Sequence, residues 1–306
     1  MNLSVMLLLL LNVTIMRAAF GKGNAQQKRF LLAMKNLSIS WDSLWLICFL
    51  HGIFLLRSTW DGASTLNEII EEYEEKKLDV DDTNEDLVDI LLRIKRSGEM
   101  HLSLTIENVK DFILDLFLTG TDTLSTTLVW AMTELIRHPN VMQNAQLEVR
   151  KALNGEIRIE ERDIHELPYI NQVIKETLRL HPLSPLLVPR LCCETVELVG
   201  YTMPVESRVK INVWEMMRDP KYWEDPEKID FGLANFEFIP FGGGRRICLG
   251  KSFALASIEL WLAQLLFYFD WELLGGRSPQ ELDVDEAFGL TLTRKDDIFL
   301  VATYQE

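Results

Sequence analysis

The chain has 306 residues, 48% of them hydrophobic and 25% charged, which suits one large globular domain or two smaller ones. Its formal net charge of -15 argues against duplex nucleic acid as a partner. The four cysteines, Cys48, Cys192, Cys193 and Cys248, form neither a CxxC pair nor a dense framework, so unpaired thiols in a reducing compartment are expected.

Residues 1–35 read as helical, with basic residues from Arg17 to Lys35. Their start, Leu3 to Met16, is apolar but interrupted by Asn12, and it is shorter than the roughly 20 apolar residues that cross a bilayer. Trp41 to Leu56 is a second short apolar stretch, broken by Asp42 and His51. Both are expected to be buried or interfacial helices, and no transmembrane anchor is expected. Thr65 to Lys77 predicts an acidic helix with Glu68, Glu71, Glu72, Glu74 and Glu75 mostly on a solvated face; a charged connector, Lys76 to Glu85, follows. Asp86 to Ser97 places Leu87, Ile90, Leu91 and Ile94 at helical spacing. The longest helix is expected from Ile106 to Arg137. Thr105 suits its N-cap, Glu107 its first turn, and His138-Pro139 its end, because the residue before proline is pushed out of helical geometry. At 1.5 Å per residue it spans roughly 45–50 Å. Val141 to Leu153 and Tyr169 to Leu180 follow as helices, the second opened by Pro168 and stopped by His181-Pro182.

Beyond Pro182 the pattern changes. Leu186 to Arg190, Thr195 to Val199 and Arg208 to Val213 read as short strands separated by turn residues. A glycine-rich loop leads into an apolar helix from Ser252 to Phe269, and Phe288 to Thr303 predicts a β-hairpin with Arg294-Lys295-Asp296-Asp297 near its turn. There is no internal repeat and no low-complexity linker. The expected fold is mainly α with a small β portion, in one domain over residues 1–306.

Cys248 lies in Phe241-Gly-Gly-Gly-Arg-Arg-Ile-Cys-Leu-Gly250, at or near the start of that apolar helix. Orphan backbone N–H groups, the positive end of the helix dipole, and Arg245, Arg246 and Lys251 all favour an anion there. Such surroundings lower a thiol pKa and make a thiolate available as nucleophile or metal ligand. The glycines let backbone pass close to a flat or bulky partner. In the long helix, Thr119-Gly-Thr-Asp-Thr123 is a weak centre: glycine costs about 1 kcal/mol in a helix interior, and threonines crowd it and bond backward. Two consequences are open, a kink for close packing or an opening of the hydrogen-bond ladder that admits a small ligand. Glu176 and Arg179, three apart on one helix, share a face.

The loop resembles the haem-ligand loop of the cytochromes P450, Phe-x-x-Gly-x-Arg-x-Cys-x-Gly, with Phe241, Gly244, Arg246, Cys248 and Gly250 at matching positions. Gly120, Asp122 and Thr123 resemble the family's oxygen-binding groove; Thr119 departs from its usual small apolar residue. Lys175-Glu-Thr-Leu-Arg-Leu-His-Pro182 resembles its Glu-x-x-Arg motif, in which Glu176 and Arg179 are a buried structural pair. Val188-Pro189-Arg190 resembles the strand whose arginine contacts a haem propionate, a role suited to a planar guanidinium. Trp130-Ala-Met-Thr-Glu-Leu135, Ala145-Gln-Leu-Glu-Val-Arg150, Asn212-Val-Trp214, Arg218-Asp-Pro220 and Phe236-Glu-Phe-Ile-Pro240 are similar to plant family-71 members.

The resemblance implies the C-terminal part of the cytochrome P450 fold, haem b with Cys248 as its axial thiolate, and O2 with electrons from NADPH through NADPH–cytochrome P450 reductase. It implies insertion of one oxygen atom into a hydrophobic small molecule such as a terpenoid, flavonoid or alkaloid. Asp122 and Thr123 would relay protons, and Phe112, Leu116, Leu186, Leu187 and Phe288 to Leu290 would line the substrate pocket. The family's location is the cytosolic face of the endoplasmic reticulum membrane; without an anchor a cytosolic place or membrane-surface contact is expected. Two departures accompany the matches. The family's early Trp-x-x-x-Arg helix is missing, the one such spacing being Trp214 to Arg218, after Glu-x-x-Arg. Asp225-Pro-Glu-Lys-Ile-Asp-Phe231 replaces a Pro-Glu-Arg-Phe-like segment, and no arginine occurs from Asp219 to Gly244. Glu176 and Arg179 are therefore expected to lack their third partner, leaving a half-satisfied buried network. The competing expectations are a non-catalytic fragment that holds haem poorly and a thiol-based redox protein, which the lack of a nearby resolving cysteine disfavours.

Overall fold

Helix ends in the computed structural model are set by a few capping residues. It describes residues 1–21, 28–33, 61–75, 85–98, 104–153, 159–164, 167–223, 238–288 and 291–305. The expectations for Trp41 to Leu56, the connector after Lys76, Asp225 to Phe231 and Leu290 lie outside them. Two units make up the chain, Val5–Ser125 on one hand and Met1–Ser4 with Thr126–Glu306 on the other.

In the Val5–Ser125 unit, helix α1 (Leu3–Phe20) stops at Gly21, whose φ of 64° is left-handed. The continuous helix expected over residues 1–35 is thereby corrected; residues 28–33 are helical again. Two further helices follow: α2 (Asp61–Glu75) starts four residues before the expected Thr65 and ends two before Lys77, and α3 (Leu87–Ser97) matches its expected span with Asp86 as its cap. Asp86 caps α3 by accepting the Asp89 amide at 3.0 Å while Asp89 accepts the Asp86 amide, and Gly98 closes the helix at φ 62°. The long helix α4 (Ile106–Arg137) starts where Thr105 and Asn108 exchange side-chain to backbone hydrogen bonds, the cap expected at Thr105. Phe20, Phe30 and Phe117 form the aromatic core, with centroids 5.1–5.8 Å apart. Asn12 is buried, with its amide donated to the Leu8 carbonyl at 3.0 Å and its oxygen accepting from Thr121 at 3.2 Å. Among the described residues α1 and α4 are long and apolar enough to cross a membrane by length and composition. The length expected for the first is thus corrected to 18 residues, 44% of that window being buried in the fold.

The other unit is organised by α5 (Pro139–Ala152), which braces α6 (Pro168–Leu180) and α8 (Lys251–Tyr268). Glu148 on α5 accepts the Tyr169 and Ile170 amides, both at 2.9 Å, so a carboxylate sits on the positive end of α6. Two residues on, and on another face of the helix, Arg150 donates to the carbonyls of Leu266 and Phe269 at the end of α8 and to Asp270 at 2.7 Å. Each charge complements the dipole end that it meets.

Among the described residues the β portion is four antiparallel pairs. β1 (Arg190–Leu191) pairs with β4 (Arg208–Val209), and β2 (Val196–Leu198) with β3 (Tyr201–Met203). The strand expected from Leu186 begins only at Arg190, because Leu187 turns back at φ 49° and donates its amide to Ser184. Val213 belongs instead to a short helix, α7 (Val213–Met216). β5 (Phe269–Leu273) pairs with β8 (Leu300–Tyr304), and β6 (Glu286–Phe288) with β7 (Leu292–Arg294). The tail is therefore not one hairpin turning at Arg294–Asp297. Its first part folds on itself, and its last strand leaves to pair with Trp271 and its neighbours, burying Leu273 and Leu300.

Candidate cofactor and catalytic site

Three backbone hydrogen bonds shape the Cys248 loop. The Gly242 amide donates to Ile239 at 2.9 Å, Ile247 to Gly244 at 3.1 Å, and Cys248 to the Phe241 carbonyl at 3.0 Å. Gly242 and Gly244 stand at φ 72° and 68°, where a side chain would be strained. A Cβ on Gly242 would touch Arg190 Nη2, Leu187 Cδ1 and the Arg246 carbonyl, each at 3.9 Å, so the loop lies against the turn that carries Leu187 and Arg190. Gly243 and Gly244 have nothing within 4 Å of a Cβ, leaving that face open. Cys248 is exposed, and α8 starts just past it, capped by Gly250, so the thiol stands near the helix N-terminus as expected.

Around the thiol the surface is unusually apolar for an exposed loop. Leu249 is 93% exposed, and Ile247, Phe253 and Val188 are also exposed. Arg245 and Arg246 are exposed and Arg190 is half-buried, and none of the three enters an ion pair among the described residues. No cluster of three or more His, Cys, Asp or Glu occurs among the described residues. The loop thus offers one sulfur ligand, an open glycine face, apolar neighbours and free guanidinium groups. That donor set suits a broad apolar disc with a central soft-ligand metal and anionic edges.

Glu176 and Arg179 are both buried, and their side chains meet twice, Nε to Oε2 at 2.8 Å and Nη2 to Oε1 at 2.5 Å. The third direction of the guanidinium goes to the Met217 carbonyl at 3.0 Å, and its face lies 4.6 Å from the Trp223 ring. The half-satisfied network expected for this pair is corrected on the arginine's side, since Glu176, a backbone carbonyl and an indole face all meet the Arg179 guanidinium, whereas Asp225 to Phe231 lies outside the described residues. Arg218 reciprocates by donating to the Leu180 carbonyl at the end of α6, with its own guanidinium over Trp214 at 4.2 Å.

The Thr119–Thr123 segment differs from the expected opening. α4 is helical throughout Ile106–Arg137, and the Thr119 and Thr123 hydroxyls donate back to Asp115 and Thr119 carbonyls, each at 2.6 Å. A Cβ at Gly120 would come within 3.0 Å of Ile15 Cδ1, so the glycine serves close packing of α4 on α1. Asp122, Thr123 and Leu116 are half-buried, and Phe112 is exposed. These four belong to the Val5–Ser125 unit; Cys248, Arg190, Leu186 and Leu187 belong to the other. Phe288 stands at the end of β6.

One buried group escaped the sequence. His181 Nε2 lies 2.9 Å from Glu134 Oε1, and its ring stacks on Trp130 with centroids 3.8 Å apart and planes 4° from parallel. Burial alone would raise Glu134, but the hydrogen bond from His181 and the charges of His181, Arg137 and His138 outweigh it and hold the carboxyl below its usual range. Arg294 completes the cluster by donating to Thr133 at 3.1 Å. Trp130 and His181 both lie in motifs visible in the sequence, but 47 residues separate Glu134 from His181, and no local spacing connects them.

The family model for cytochrome P450 matches residues 3–301. Premnaspirodiene oxygenase of Hyoscyamus muticus is 44% identical over 94% of this chain and 62% of its own length. The 5-epiaristolochene 1,3-dihydroxylase of Nicotiana tabacum is 50% identical over 72% of this chain and 45% of its own. The chain thus spans about 62% of the first of these relatives. A zebrafish cytochrome P450 structure solved with progesterone superposes with a TM-score of 0.82 at 25% identity, covering 100% of this chain and 72% of that one.

Proposed function

Since the chain belongs to the cytochrome P450 family, we propose that it acts as a haem-thiolate monooxygenase on a hydrophobic plant metabolite, of terpenoid size and character. The observation that carries this reading is the Cys248 loop: an exposed thiol on an open, Cβ-free apolar face, flanked by arginines without ion pairs among the described residues. The residues fit haem b. Cys248 would be its axial ligand, Phe241, Gly244 and Gly250 would give it room, and Arg190 and Arg246 would bind its propionates bidentately. When bound, the haem supplies activation of O2 and transfer of one oxygen atom to carbon, which a thiolate ligand favours.

The chain's own groups do the rest. Asp122 and Thr123 hold and pass protons, with the Thr123 hydroxyl leaving its bond to the Thr119 carbonyl to do so. Gly120 keeps that stretch of α4 narrow. Leu186 and Leu187, beside the Cys248 loop, exclude water and select an apolar substrate, with the β6 end at Phe288 next to them in the proposed pocket. Glu176 and Arg179 hold α6 to the segment around Met217. Arg245, Arg246 and Lys251 form a basic patch for NADPH–cytochrome P450 reductase, which delivers electrons from NADPH. The whole is one partial cytochrome P450 domain, and its place is the cytosolic face of the endoplasmic reticulum membrane.

The test is the carbon monoxide spectrum of the reduced protein, expressed with a haem precursor, followed by turnover of premnaspirodiene. Thiolate ligation predicts the red-shifted Soret band that names the family, and its loss in Cys248→Ala. A chain that takes up no haem is instead a non-catalytic fragment. Thr123→Ala should uncouple oxygen consumption from product; unchanged coupling removes Thr123 from the relay.

A further inference from the structure

Trp130 has no solvent exposure, and its polar atom is aimed at one backbone group outside its own helix. The indole N–H donates to the Leu292 carbonyl at 3.1 Å. The Leu292 amide in turn donates to the Leu183 carbonyl at 2.9 Å, and Leu292 pairs with Phe288 across β6 and β7. A single residue of β7 is therefore held by α4 on one side and by the Leu183–Leu187 turn on the other. Thr133, one turn along α4, receives Arg294 from the same strand at 3.1 Å. The indole itself is kept in plane by the His181 ring stacked on it, and that ring is anchored by Glu134 at 2.9 Å. A hydrophobic core alone would need an aromatic ring here, not an indole; the N–H is what reaches Leu292.

We propose that Trp130 is a positioning residue for substrate selection. Its N–H sets where the β6 and β7 strands sit against the Leu183–Leu187 turn, and hence where the backbone at Phe288 stands relative to Leu186 and Leu187. This rests on the proposed monooxygenase function, in which those residues line the pocket. Losing the donor leaves a buried carbonyl unsatisfied, so the strand must move or loosen to find another partner.

Trp130→Phe keeps a ring beneath His181 and removes only the donor. Trp271→Phe is the matched control, since that buried indole also donates to a backbone carbonyl, of Leu265 at 2.9 Å. Amide hydrogen exchange on the full chain should be at least about tenfold faster at Leu292 in Trp130→Phe and unchanged there in Trp271→Phe. The ratio of oxidised regioisomers from premnaspirodiene should change at least about threefold in Trp130→Phe only, with the carbon monoxide band retained. Unchanged exchange at Leu292, or faster exchange with the parent's product ratio, overturns the proposal. If Trp130→Phe does not fold, Thr133→Val, which cuts the Arg294 tie to the same strand, carries the same expectations. A parent chain without the carbon monoxide band counts against the proposed function and removes the selection role with it. The exchange result then separately keeps or removes Trp130 as the hairpin's anchor.

Discussion

The Cys248 loop and the Glu176–Arg179 pair are equally plain motifs in the sequence, yet they are built in opposite ways. The loop is exposed, and its polar contacts are backbone to backbone, so no side chain of the loop is needed to shape it. The pair is buried on α6, with Arg179 only 1% exposed and its donors spent on Glu176 and Met217. A ligand site must leave its reactive atom without neighbours, whereas a buried charge must have every neighbour in place. Chemistry and scaffold are thus separable by mutation.

The largest effect should come from breaking the pair. Arg179→Leu leaves the Glu176 carboxylate buried and uncompensated and should cost about 3–5 kcal/mol in urea unfolding. Arg179→Lys should recover little, because an ammonium cannot copy a two-pronged contact. A loss below about 1 kcal/mol for Arg179→Leu would mean that the pair is incidental. Next in size is the brace on α5. Glu148→Ala removes both acceptors from the α6 N-terminus and should cost about 1–3 kcal/mol, measured in the same way.

A smaller effect separates the buried Glu134 from the half-buried Asp86 by pH. Glu134, hydrogen-bonded to His181 and beside Arg137, is held below its ordinary 4.5, so its contribution is complete above that value and is lost as pH falls through the lower folded value. Asp86 is raised above its ordinary 3.8 by burial, despite hydrogen bonds from the Tyr73 hydroxyl at 2.6 Å and the Asp89 amide. Its contribution is complete below 3.8 and is lost as pH rises through the higher folded value. Melting curves between about pH 3 and pH 7 should therefore lose slope of opposite sign in Glu134→Gln and Asp86→Asn. Slopes of the same sign would refute the assignment of charge around one of them. The smallest effect on stability belongs to Cys248→Ala, which should change unfolding by less than about 0.5 kcal/mol while abolishing the carbon monoxide band. A large loss of stability there would place the thiol in the scaffold after all.

Legibility in the sequence followed the range of the interactions. Helix α4 was readable because Thr105 and His138-Pro139 are local signals, and α3 because Leu87, Ile90, Leu91 and Ile94 recur at helical spacing. The tail was misread because alternation of side chains specifies a strand but not its partner, and β8 goes to β5 rather than back to β7. Gly120 carried a real signal, a helix breaker in a helix, but whether it opened a groove or met Ile15 depended on what packs against it.

The sequence by itself determined the family, the Cys248 loop and the ends of α4, because spacing, capping and glycine placement act over a few residues. Only the tertiary structure decided what surrounds the buried charges. Met217 and Trp223 complete Arg179, His181 lowers Glu134, and Trp130 reaches Leu292. Each of those contacts joins residues at least 38 apart in the chain. Burial makes such contacts matter, since a charge or N–H out of water must find its partner wherever the chain has placed one.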